Sequence, residues 1–72
     1  MTNLHYSMII QWDNRDNIFV IRVPELPGCV SQGSTYEEAV QQGKDAIESW
    51  LMAALANNEL LPQPRNYADT AA

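Results

Sequence analysis

The chain has 72 residues, 46% of them apolar, with nine acidic against four basic side chains and a net charge of −5. That length allows one domain burying only about 60% of the surface its unfolded form exposes, and the single cysteine, Cys29, excludes an internal disulfide, which leaves association with another chain as the source of added stability. The charge is adverse to a phosphate backbone and favours a basic partner. No apolar run approaches the roughly 20 residues of a membrane span, and the opening MTNLHYSMII lacks the charged-then-apolar order of a signal peptide, so the expected location is cytoplasmic.

From Tyr6 to Asp13, the residues Tyr6, Met8, Ile10 and Trp12 alternate with Ser7, Ile9, Gln11 and Asp13, the period-two pattern of a strand with one buried face. The Asn- and Asp-rich stretch Asp13 to Asn17 then predicts a turn. A second strand, Ile18 to Val23, completes a hairpin and sends Phe19, Ile21 and Val23 to the core, with Ile18, Val20 and Arg22 on the other face. Pro24 and Pro27 stop that strand, and Gly28 after Pro27 fits the second central position of a type II turn. A short third strand, Cys29 to Gly33, follows.

Thr35 and Glu38 have the spacing of a capping box, in which the Thr hydroxyl accepts from the third helical N–H and the Glu reaches back to the N–H of the cap. Glu37 and Glu38 also lie at the positive end of the helix dipole. The helix is predicted from Tyr36 to about Asn57, with Val40, Gly43, Ile47, Trp50, Leu51, Ala54 and Leu55 as its apolar stripe. Gly43 inside that stripe costs roughly 1 kcal/mol against alanine, which points to close approach of helix and strand. Asn57 and Asn58 are stop residues. The sequence LLPQPRNYADTAA reads as an extended segment and then a frayed end. Residues 1–66 are therefore read as the domain and 67–72 as a flexible tail.

This order of hairpin, VPELPGCVSQG, STYEEAV, long helix and LPQP resembles the HicB-like antitoxin family, over about Tyr6 to Pro64. Its most specific piece is Leu26, Pro27, Gly28, Cys29, then Gln32, Gly33, Thr35, Glu38 and Ala39. The resemblance implies a partial RNase H-like fold of the α+β class: a three-stranded antiparallel sheet, one long helix packed on one face, and here a truncated fourth strand. It also implies an antitoxin that binds and covers a small basic mRNA interferase of the HicA type. The alternative is a stand-alone oligomeric HicB-like regulator of another target, with no toxin partner. In the family's first hairpin turn, this chain has Asn17 where glycine is usual, a mild change because Asn also visits the left-handed region. No DNA-binding module is expected to follow the helix, so DNA binding is not expected.

An RNase H-like fold raises the question of a metal-dependent nuclease, which needs clustered carboxylates. Asp13 and Asp16 belong to a turn, Glu25 to a proline-flanked loop, and Glu37 and Glu38 to the helix start, so all are read as solvated turn and cap residues. No catalytic residue, metal ligand or cofactor is expected. His5 has no partner at a ligand spacing, and one imidazole cannot hold zinc. Cys29 is read as a buried structural thiol, and Trp12 and Trp50 as core.

Two surfaces are candidates for contact with a partner or a second copy. Ile9, Ile18 and Val20 would form an apolar patch on the sheet face opposite the helix. The helix, about 33 Å long at 1.5 Å per residue, should overhang strands of roughly 20 to 27 Å, leaving Met52 and Ala56 uncovered on its distal part. A homo-oligomer, most simply a dimer, is the expected assembly.

Overall fold

A computed structural model describes residues 5–70; residues 1–4 and 71–72, at the two ends of the expected domain and tail, lie outside the described residues. β1 is Ile9–Asp13, β2 Ile18–Arg22, β3 Val30–Gly33 and α1 Tyr36–Ala56, followed by one helical turn, α2, Tyr67–Thr70. The strands form one antiparallel sheet in the order β1-β2-β3. The expected α+β architecture is therefore the observed one.

β1 is shorter than its alternation suggests. Ile9 pairs with Arg22; the Val23 N–H faces the other way, to the Cys29 carbonyl at 3.1 Å, and the next position of β2 that would face β1 is Pro24, which has no N–H to give. The ladder stops where β2 turns away. The turn itself is as expected: the Cys29 N–H donates to the Leu26 carbonyl at 3.0 Å, with Gly28 at φ +78°. Asn17 takes the left-handed region at φ 53°.

At the start of α1 the Thr35 hydroxyl accepts the Glu38 N–H at 3.0 Å. The reciprocal half of the cap differs from expectation, since Glu38 takes the N–H of Ser34 and not that of Thr35. Those Ser34 donors hold the Glu38 carboxyl below its ordinary pKa. At the other end Asn57 caps the helix and Asn58 is left-handed at φ 57°. The N–H of Asn58 donates to Leu55 and that of Glu59 to Ala54, at 3.1 and 2.9 Å, which is a Schellman closure.

α1 lies over β3 and β2, not over β1. Its buried residues are Ala39, Gly43, Ile47, Leu51 and Ala54. A Cβ on Gly43 would stand 2.8 Å from the Met8 sulfur and 3.1 Å from Ile21 Cγ2, so the expected close approach is present. Gly33 is tighter still, because its Cβ would meet the Ala39 backbone N at 2.5 Å. With contact made through these small residues, Ala39 takes the centre of the stripe, and Val40 and Leu55 sit on its flanks, exposed.

The inward face of the distal helix is not bare. Ile47 and Leu51 pack with Val23, Leu26 and Cys29, and with the partly buried Tyr6, Met8, Trp50 and Leu61. The Trp50 indole donates to the Pro27 carbonyl at 2.9 Å. The turn between β2 and β3 and the segment after the helix thus cover the inward side of the part expected to overhang. That segment has neither helix nor strand as far as Asn66, and Tyr67–Thr70 then form a helical turn where a frayed tail is predicted.

Candidate functional site

Glu25 departs furthest from its sequence reading. It is 8% exposed, and its carboxylate accepts the Ser7 N–H at 3.0 Å, the Ser7 hydroxyl at 2.9 Å and the Arg65 N–H at 2.9 Å. Burial pushes the carboxyl up, but the donors of Arg65 and Ser7 outweigh it and hold the pKa below the ordinary value. The Tyr6 hydroxyl adds a bond to the Pro62 carbonyl at 2.6 Å. Glu25 is a strap fastening the lead-in to β1 and the post-helix segment to one turn; it is not a solvated loop residue. Proline at both flanks hid this, because the donors come from positions distant in sequence.

Two other carboxylates have local tasks. Asp13 accepts the Arg15 N–H at 2.9 Å, and Glu38 serves the helix cap. Among the described residues no three His, Cys, Asp or Glu side chains converge on a point that could hold a metal. His5 is exposed. Cys29 is buried and free, and burial raises its thiol pKa, which disfavours the reactive thiolate.

The sheet face away from α1 is built by the register. Its rows run Ile9, Arg22, Val30 and then Gln11, Val20, Gln32, with Asp13 beside Ile18 at the hairpin end. Ile9, Ile18 and Val20 therefore share this face as expected. Val30, 55% exposed, joins them; the alternation in so short a strand was the one signal for it. A hollow of about 290 Å³ opens between Ile9, Arg22, Val30 and the Pro24, Pro27 and Gly28 turn. Apolar area surrounding one cation, with glutamines beside it, suits a protein surface better than a small organic ligand.

Two further surfaces carry exposed apolar side chains. On the outer side of α1, Met52 is 66% exposed and Leu55 and Ala56 are exposed beside it. At the hairpin end, on the helix side, Trp12 and Phe19 are directly opposed and meet edge to face at 5.0 Å, while Tyr36 stacks on Phe19 at 4.4 Å. Trp12 is 52% exposed and Tyr36 65%. Trp12 is on the predicted face but is not core, because α1 passes over β3 and β2 and leaves β1 at the margin.

A short antiparallel sheet carrying one capped helix, with several uncovered apolar surfaces among the described residues, makes a small α+β domain. Residues 6–72 match the HicB-like antitoxins of bacterial toxin–antitoxin systems, and the chain belongs to that family. It is 38% identical over 60 residues to a UPF0150 protein of Thermoplasma acidophilum, covering 83% of this chain and 86% of that one. A UPF0150 protein of Archaeoglobus fulgidus is 35% identical over 48 residues, 67% of this chain and 68% of its own. One of Helicobacter pylori is 53% identical over 36 residues, half of each chain.

Proposed function

We propose that this chain is an antitoxin that binds a small basic HicA-type mRNA interferase and occludes it by protein contact, without catalysis of its own. The observation that carries the reading is the family match over residues 6–72. The net charge of −5 supports a basic partner and works against competition by nucleic acid. The open sheet face of Ile9, Val20 and Val30 around Arg22 is the docking surface in this reading, since no element of the described residues covers it. The outer side of α1, at Met52, Leu55 and Ala56, is then left for self-association into a dimer, in keeping with the thin core of so short a chain.

The test begins with the gene neighbourhood. A short basic reading frame beside this one supplies the candidate toxin, and the two purified proteins should form a complex by calorimetry and gel filtration. A basic neighbour that stays separate at micromolar concentrations would favour the stand-alone regulator instead.

A further inference from the structure

We propose that the Trp12–Phe19–Tyr36 cluster is a subsite for an arginine side chain of a basic protein partner; the inference rests on the reading above that the partner is a basic protein. Phe19 faces Trp12 on one side and Gly33 on the other. Gly33 lets the backbone at the start of α1 come down against β3, and Tyr36, at the first turn of that helix, lies over Phe19 at 4.4 Å. That arrangement shields Phe19, which is only partly buried, but it does so with two large rings that each keep over half their surface in water. Trp50 shows the other outcome for an indole in this protein, packed against the core with its N–H bonded to Pro27.

The charge around the rings is negative. Asp16 lies three residues from Phe19, at most about 11 Å along the chain, and Glu37 and Glu38 follow Tyr36 directly. Arg15 offsets Asp13, its Nε standing 3.7 Å from the carboxylate. Arg22 is also three residues from Phe19 but lies on the opposite face of the sheet, and Lys44 lies eight residues along α1 from Tyr36, about 12 Å of helix rise. Exposed π faces in a negative field attract a cation, and the planar, weakly hydrated guanidinium stacks where an ammonium does not. The same rings could stack nucleobases, but the carboxylates repel the phosphates that would come with them.

The experiment follows the two indole N–H signals of the ¹⁵N-labelled full chain during titration with hexa-arginine, hexa-lysine or hexa-uridylate. Hexa-arginine should move the Trp12 signal saturably and leave that of Trp50 in place. Hexa-lysine should bind at least about five-fold more weakly, and Tyr36→Ala should weaken hexa-arginine by a similar factor. Glu37→Lys, at an exposed position away from the core, should weaken it without changing the rest of the spectrum. Equal response to the two peptides, equal binding by Tyr36→Ala, or a stronger response to hexa-uridylate would overturn the subsite. A toxin that binds wild type and Tyr36→Ala equally well would remove this inference and leave the antitoxin reading intact, whereas absence of any toxin complex would remove that reading whatever the peptides do.

Discussion

The carboxylate of Glu25 accepts the backbone N–H of Arg65 at 2.9 Å across 40 residues of sequence. With Ser7 bound to the same carboxylate, one side chain closes the region where neither the lead-in to β1 nor the post-helix segment has a strand ladder.

Because the folded carboxyl is held below its ordinary value of 4.5 by the Arg65 and Ser7 donors, against the opposing effect of burial, its stabilisation is present above that value and is lost as pH falls through the lower, folded one. Glu25→Gln should cost about 2 kcal/mol at pH 7, the scale of hydrogen bonds to a charged group. In urea unfolding the gap between wild type and variant should narrow as pH drops below about 4.5. A gap that is constant from pH 7 to 3 would mean the charge is not what the strap uses.

The two glycines under α1 should respond unequally. At Gly33 an added Cβ meets the Ala39 and Glu38 backbone, which cannot yield without moving the helix, so Gly33→Ala should cost about 2 to 3 kcal/mol. At Gly43 the nearest atom is the end of the Met8 side chain, which can rotate. Alanine there also gains about 1 kcal/mol of helix propensity, offsetting the pressure on Ile21. Gly43→Ala should therefore lose under about 1 kcal/mol. Chemical denaturation of the two variants decides it, and equal losses would contradict the packing described.

Local features of the fold were legible in the sequence because their causes are local. Thr35 caps, Gly28 turns, Asn57 and Asn58 close the helix, and the hairpin alternation puts Ile9, Ile18 and Val20 on one face. What was not legible depends on long-range placement. Glu25 looked solvated because Ser7 and Arg65 are far from it in sequence, and Trp12 looked like core because period-two alternation gives its face but not where the helix lies across the sheet. Leu55 falls on the flank, not the stripe, because contact through Ala39 and Gly43 rotates the buried arc away from it.

Trp50 should behave as a structural residue. Trp50→Phe keeps most of the ring but removes the N–H that bonds the Pro27 carbonyl, and a net loss of about 1 kcal/mol in thermal or urea unfolding is expected. No change would show that water replaces the bond at no cost.

Self-association is tested on the outer face of α1. If Met52, Leu55 and Ala56 meet a second copy, Met52→Glu should move the protein toward monomer in analytical ultracentrifugation and lower its thermal midpoint. A wild-type chain that remains monomeric at high micromolar concentration would rule the dimer out.

The central claim is occlusion of a basic toxin, and the most direct measurement is RNA cleavage by the neighbouring basic protein titrated with this chain at physiological salt. Cleavage should stop near one equivalent of this chain. Val30→Lys, which places a cation on the exposed rim of the open sheet face, should raise the amount required at least about ten-fold by like-charge repulsion. Cleavage that continues undiminished at a large excess of the wild-type chain would contradict the account.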